Sequence, residues 1–381
     1  MSFVLTYLSV ILILLTLWDA FEAMVFPRRV TRTIRPTRFY YLSLWSLWRA
    51  VACRMKAGRR RESFLSVFGP LSLLGLFVSW VAVLICGFAL LHWSLATPMR
   101  TPDDSSTFAD YLYLSGTTFT TLGYGDLTPT QTLGHFLAVV ESGLGLAFLA
   151  MIIGYLPAIF QSFSRRETTI SLLDARAGSP PSAAQFLIRL AQAKQLDSVG
   201  PFLDEWERWA GELLQDHLSF PVLSFYRSQH DNQSWLSALT TILDSCALLL
   251  SSVRGKHDYQ AQLTFAMARH AAVDIALVFK TAPKPPDPDR LPSGRCGLLR
   301  EQLGKAGLEL PEAATMAKRF HELRDMYEPF VNALGGFLLL NLPPILPESE
   351  RTDNWQTTAW ARRAPGIGKL GKPSGMDEHF D

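Results

Sequence analysis

Cysteine and charge are both scarce in this chain. Its four cysteines, Cys53, Cys86, Cys246 and Cys296, lie far apart with no CxxC pair, which excludes a disulfide framework and offers no zinc-ligand spacing. Charged residues make up 18% of the 381, against about 25% in ordinary soluble domains. The net charge of +2 lacks the basic balance of a nucleic-acid binder, so no nucleic-acid partner is expected. No GxGxxG falls between a strand and a helix, which counts against a nucleotide-binding regulatory domain. No succession of alternating strands is visible, which counts against a cyclic-nucleotide-binding β-roll. His217, His230, His257 and His270 do not pair with acids or cysteines at ligand spacing, and they read as structural. What is abundant is apolar surface: 48% of residues, with 24 Phe and 10 Trp, gathered into blocks over the amino-terminal half.

A bilayer core about 30 Å thick takes roughly 20 apolar helical residues, and three stretches qualify. The first runs from Phe3 to Phe26, with Asp19 and Glu22 near its end. It has neither the basic start nor the small-residue cleavage site of a signal peptide. The second, Phe64 to Ala96, carries no charge beyond a proton on His92, and the third, Leu133 to Phe163, holds one acid, Glu141. Between Arg28 and Arg61 lie eleven Arg or Lys and no acid, whereas Thr97 to Thr132 has one Arg and four Asp. Arg165 and Arg166 follow the third span. The positive-inside rule then places residues 28–63 and everything after 164 in the cytoplasm, with the amino terminus outside.

Between the second and third spans, Thr107 opens a helix that Asp110 can cap from three residues on. About fourteen residues give roughly 20 Å of helix, too short to cross. A Gly-rich polar segment follows, and such backbone cannot face lipid, so it must line protein or a water-filled cavity. This reads as a re-entrant loop. Thr121-Leu122-Gly123-Tyr124-Gly125-Asp126 resembles the TVGYGD selectivity filter of potassium channels, with Leu in place of Val. The chemistry fits: backbone carbonyls and a Thr hydroxyl can replace the hydration shell of a cation, and Gly123 and Gly125 permit the unusual backbone angles at little steric cost. The resemblance covers about residues 65–164. It implies K+ sites at Thr121, Leu122, Gly123 and Tyr124, with Gly125 shaping the outer mouth and the Tyr124 ring packing away from the pore. It also implies a homotetramer, since one chain supplies one of four filter loops. Asp126 matches the post-filter carboxylate of the family, and the best-aligned partners to brace it are Tyr113 and Thr117, not the Trp or Glu that some members use.

The third span matches the pore-lining inner helix. Gly145 stands about twenty positions beyond the last filter glycine, where the family often bends, with Gly143 beside it. Glycine weakens a helix by roughly 1 kcal/mol, so these are hinge candidates, though a small residue for close helix contact is the alternative. Gly154 and Pro157 put a kink near the cytoplasmic end. Glu141, an intramembrane carboxylate, is a functional candidate by default; it either lines the upper cavity or hydrogen-bonds behind the filter.

Arg29, Arg32, Arg35 and Arg38 recur every third residue, but Pro36 interrupts them and no apolar span surrounds them, so they read as a basic cluster near anionic lipid rather than a voltage sensor. Phe39 to Cys53, aromatic and too short to span, reads as an interfacial amphipathic helix. Beyond Thr168 the apolar spacing is helical, with Ser179-Pro180-Pro181-Ser182 as a hinge and Pro283 to Asp289 dividing the region. Met316, Phe320, Leu323, Tyr327, Phe330 and Leu334 step by three and four, as a coiled coil or as packing within the domain.

The expected fold is therefore an all-α membrane protein: a tetrameric pore-loop channel of outer helix, pore helix, filter and inner helix, with an extra N-terminal span and an all-α cytoplasmic domain. Its expected segments are a transmembrane helix (1–27), a basic interfacial segment (28–63), the pore domain (64–164), a helical regulatory domain (165–345) and a flexible tail (346–381). The expected function is passage of K+ down its gradient, with K+ as permeant ion, no cofactor and no catalysis. Membrane lipid is an expected partner; a cytoplasmic ligand is not identified. Short loops and the lack of a targeting extension point to a bacterial inner membrane. A non-selective cation channel, or a membrane-anchored scaffold with a vestigial pore, are the alternatives.

Overall fold

A computed structural model describes residues 2–25, 35–100, 106–229, 233–252 and 258–347. Arg29, Arg32, His230, His257 and the tail from 348 on lie outside them. The protein is an all-α membrane protein, with one pair of two-residue strands among the described residues. The chain falls into two compact units: residues 1–56 with 63–161, and residues 57–62 with those from 162 on.

The first unit is built on two long helices. Helix α1 (Ser2–Met24) leads to α2 (Pro36–Arg54) and α3 (Arg59–Ser94), and α4 (Phe108–Phe119) precedes α5 (Thr132–Ala177). Strands β1 (Met99–Arg100) and β2 (Thr128–Pro129) pair antiparallel around α4. Both α3 and α5 outrun the apolar stretches that predict them. At 36 and 46 residues they measure roughly 54 and 69 Å.

Helices α1 and α2 lie one after the other along α3, both antiparallel to it. Thr6 meets Ser94 at 2.9 Å, and Trp80 donates its indole N–H to Asp19 at 3.0 Å. Farther along, Tyr40 donates to the Ser72 carbonyl at 2.9 Å, and Trp48 stacks on Phe64 with ring centres 4.4 Å apart. The two acids of the first span are thus explained: Asp19 also accepts from the Thr37 hydroxyl at 2.5 Å, and Glu22 from Trp18 at 2.8 Å. Pro36 starts α2, where its missing N–H and fixed φ cost nothing. Tyr40, Trp45 and Trp48 of α2 face α3, while Phe39, Leu42, Leu47 and Val51 stay exposed.

The second unit takes the end of α5 and adds α6 (Ala183–Gln192), α7 (Val199–Ser219), α8 (Trp235–Ser252), α9 (Asp258–Val278), α10 (Ser293–Lys305), α11 (Ala313–Asp325) and α12 (Glu328–Leu338). Helix α8 is apolar enough to cross a membrane, yet almost every residue of it is buried inside the unit, against α6, α9, α11 and α12. A helix apolar all round belongs in a core, and α8 is that core.

Of the two alternatives for Met316 to Leu334, packing within the domain is the one found, and the reading of Pro283 to Asp289 as a divider is corrected. The stretch from Met316 to Leu334 is neither one helix nor a coiled coil. It breaks at Met326–Tyr327, Pro329 enters the first turn of α12, and Met316, Phe320, Leu323, Tyr327 and Leu334 are all buried within the unit. The prolines from 283 to 289 do not divide the unit: Lys284 N–H donates to the Pro329 carbonyl at 2.9 Å, and Asp289 accepts from Arg324 at 2.5 Å. That segment ends in a buried charge cluster. Arg290 reaches both oxygens of Asp244 at 2.7 and 2.9 Å and Glu328 at 2.8 Å, while Tyr327 donates to Asp244 at 2.5 Å. These carboxylates hold the Arg290 and Arg324 guanidinium groups more firmly charged than usual, against the opposing pull of burial.

Candidate pore site

The loop between α3 and α5 is closed at its base. Thr130 N–H donates to the Pro98 carbonyl at 2.9 Å, next to the β1–β2 pair, and His135 reaches the Pro129 carbonyl at 2.7 Å. A Cβ on Gly134 would come within 2.7 Å of both Pro129 and Thr97, so glycine lets α5 start tight against this closure. Within the loop, α4 begins as its sequence signal implies. The Asp110 carboxylate accepts from the Thr107 backbone N–H and hydroxyl, both at 2.7 Å, which answers one orphan donor of the first turn and places negative charge at the helix amino end.

At the other end of α4 the backbone turns over into the expected filter. Thr121, Gly123 and Gly125 have φ of +58°, +55° and +78°, with ordinary residues between them. Every second residue is left-handed. This alternation turns successive peptide planes, which a regular helix or strand cannot do. Glycine takes the conformation freely, whereas Thr121 takes it at a cost of about 1–2 kcal/mol. The amides of this segment consume the last carbonyls of α4: Leu122 and Gly123 N–H donate to Thr117 O at 2.8 and 3.2 Å, and Thr121 N–H to Thr118 O at 3.1 Å. Leu122 and Tyr124 are 56% and 69% exposed in the single chain.

The neighbours of this segment differ from one another in what they do. The Tyr113 hydroxyl donates to Asp126 at 2.9 Å. Thr117 does not reach Asp126; its hydroxyl donates to Leu114 O within its own helix at 3.0 Å, and its contribution is the carbonyl that receives the Leu122 and Gly123 amides. Glu141 is fully buried and hydrogen-bonded to Ser115 of α4, with His92 of α3 at 3.9 Å. Gly145 lies where a Cβ would collide with the Phe119 carbonyl, at the end of the pore helix. Gly143 and Gly154 have open space on that side. Helix α5 runs through Gly143, Gly145, Gly154 and Pro157 as one helix.

Sequence reasoning missed the polar set behind α4. Ser115 donates to Ile85 O at 2.8 Å, Tyr111 to Thr97 O at 2.9 Å, and His92 Nδ1 meets the Thr97 hydroxyl at 3.2 Å. His92 had a signal, the lone titratable group in the second span. Ser115 and Thr97 had none, because small hydroxyl residues are common in any membrane helix.

Comparison with known proteins places this region. The family described as "Ion channel" matches residues 75–162. An uncharacterized membrane protein, YdjJ of Bacillus subtilis (strain 168), is 26% identical over 260 residues, covering 65% of this chain and 73% of its own length. Protein LctB of Geobacillus stearothermophilus is 35% identical over 86 residues, which is 20% of this chain and 63% of that protein. Protein LctB of Bacillus caldotenax is 31% identical over 121 residues, covering 29% of this chain and 81% of its own. No solved structure matches. With its matched segment spanning most of α3, the half-helix, the alternating loop and the membrane part of α5, the chain belongs to the ion channel family.

Proposed function

We propose that this protein is a tetrameric potassium-selective channel that lets K+ run down its electrochemical gradient. One observation carries the reading: the left-handed alternation at Thr121, Gly123 and Gly125 falls on the stretch that resembles the potassium filter, directly after a half-helix. Carbonyls of Thr121, Leu122, Gly123 and Tyr124 would replace the water around a dehydrated K+, and Gly125 would shape the outer mouth. Asp126, tied to Tyr113, would hold that mouth; Thr117 would hold the filter amides. The exposure of Leu122 and Tyr124 in one chain fits a loop that needs three further copies to enclose an axis.

The same reading makes α3 the outer helix, α5 the inner helix, and Gly143, Gly145, Gly154 and Pro157 the positions where α5 bends in gating. The amino end of α1 pairs with Ser94, at the filter end of α3, which supports an external amino terminus. The second unit would be a cytoplasmic regulatory module in a bacterial plasma membrane protein. It carries no role in permeation itself, and no enzyme activity is assigned to it.

The decisive experiment is the reversal potential of the purified protein in a planar bilayer, with K+ on one side and Na+ on the other. A potential strongly favouring K+, abolished by Gly123→Ala, is the expected result. Robust current reversing near zero would instead make it a non-selective cation channel. Unchanged partners and phenotype after Gly123→Ala, with no current in either protein, would favour the membrane-anchored scaffold.

A further inference from the structure

Behind the pore helix, three helices meet in a polar cluster that no charged partner from solvent explains. Glu141 of α5, Ser115 of α4 and His92 of α3 are each 0% exposed. Counting hydrogens decides how they can be bonded. The Ser115 hydroxyl owns one hydrogen but lies against two oxygens, the Ile85 carbonyl at 2.8 Å and Glu141 Oε1. A carbonyl can only accept. Both bonds exist together only when Glu141 carries a proton and donates it to Ser115.

The rest of the cluster agrees with that assignment. Glu141 Oε2 and His92 Nε2 face each other at 3.9 Å, and neither has another partner. With the Thr97 hydroxyl donating to His92 Nδ1, the imidazole hydrogen sits on Nε2 and points at the free oxygen of the neutral acid. The Thr97, Glu141 and Ser115 hydroxyl hydrogens then each have one acceptor, and the His92 Nε2 hydrogen faces Glu141 Oε2 across 3.9 Å. The titratable groups around Glu141 are His92 from α3 and, farther along α4, Tyr111, whose hydroxyl is occupied by Thr97 O at 2.9 Å.

We infer that Glu141 and His92 are positioning residues that hold the pore helix through one bound proton, and that loss of this proton releases the filter from behind. When Glu141 ionises, it can only accept, so Ser115 must turn its hydrogen from Ile85 to Glu141. The tie between α4 and α3 is broken while the tie to α5 stays. The proton leaves to solvent and no other bond changes. The inference rests on the proposed channel function for its consequence, but not for its chemistry.

The test therefore uses two readouts on the full-length protein in liposomes. The first is the infrared carbonyl stretch of a protonated carboxyl, recorded against pH. Wild type should show a band that disappears at alkaline pH, and Glu141→Gln should lack it. The second is K+ current over the same pH range. Glu141→Gln reproduces the donor and acceptor of the neutral acid, so it should conduct and should lose the alkaline decay of wild type, which itself should have the steepness of one proton. Ser115→Ala should decay to the low level already at neutral pH, and His92→Phe should shift the decay midpoint. A wild-type spectrum without a band that Glu141→Gln removes would overturn the inference. So would Glu141→Gln current with an unchanged pH profile. Absence of K+ current in every variant, with the infrared band present, would sink the channel reading and leave the bound proton standing.

Discussion

At the scale of single residues, Gly145 shows what spacing cannot reveal. Its distance from the filter nominates it as a bend, yet its missing Cβ is where the Phe119 carbonyl sits. The close approach gives it a packing role besides any hinge. Overpacking a tight contact costs about 1–3 kcal/mol, so Gly145→Ala should lower the thermal midpoint of the detergent-solubilised protein and cut K+ flux. Gly143→Ala and Gly154→Ala meet no atom and should leave the midpoint unchanged or slightly higher, as Ala favours helix, so a fall in their K+ flux alone marks the bend proposed there. His217 is the second case. The sequence reads it as structural, and the structure agrees: it is buried, with Nδ1 at 2.7 Å from Leu213 O and its ring against Trp235 at 4.7 Å. Burial, with help from the nearby Arg166 charge, pushes its pKa down from 6.5 to about 3. The unfolded chain therefore binds the proton that the folded one refuses. Stability is full above pH 6.5 and falls as pH drops toward 3, with a slope of at most about 1.4 kcal/mol per pH unit. Thermal midpoints recorded over this window should flatten in His217→Phe, which keeps the ring packing and loses the proton.

At the scale of elements, helix ends decide more than helix interiors. The length of the apolar run identifies α1, α3 and α5, and the three-and-four spacing of buried residues identifies α7. Both fail at the ends. The charged residues at the start of α3 are helical, and Glu62 there pairs with Arg227 at 3.5 Å. Arg227 in turn donates to the Leu338 and Leu339 carbonyls at 2.5 and 3.1 Å, which have no intrahelical partners at the end of α12. Burial lowers the Arg227 pKa to about 10, still charged at neutral pH. Leu339 ends α12 in the left-handed region at φ +55°, a place glycine normally fills. Leu339→Gly should raise stability by about 1 kcal/mol, read as a higher thermal midpoint with unchanged conduction. A similar exchange of partners occurs at Arg166. It donates to the Leu223 and Tyr226 carbonyls at 2.9 and 3.0 Å, so this arginine of the basic pair after the third span is buried inside protein and not left at a lipid surface.

At the scale of the whole molecule, the polar cores of the two units contrast. In the first, the buried carboxyls Asp19, Glu22 and Glu141 are answered by hydroxyl and indole groups. In the second, Asp244, Arg290, Glu328 and Arg324 answer one another as formal charges, each with several partners. Removing one member of such a set strands the others, at a cost of about 3–5 kcal/mol. Asp244→Ala, which leaves Arg290 and Tyr327 without their shared acceptor, should produce the largest fall in thermal midpoint among these variants. Conduction measured at low temperature, where the protein remains folded, should survive. A null effect on the midpoint would mean that the cluster is not the keystone its burial implies.

The apolar helices of the membrane unit, the loop between α3 and α5, and the glycines at which that loop turns left-handed were legible in the sequence. These are local properties: length of an apolar run, a capping pair three residues apart, glycines where the backbone must turn left-handed. Its Asp126–Tyr113 pair also lay within reach of alignment, since both residues flank one short helix. Only the tertiary structure decided what touches across elements. Nothing local says that α8, apolar enough to span, is enclosed by four other helices, or that the Pro-rich segment before Arg290 delivers a charge into their midst. Nothing local brings His92, Ser115 and Glu141 together from three different helices either. Their meeting depends on the crossing of helices distant in the chain, and so does the hydrogen count that gives Glu141 its proton.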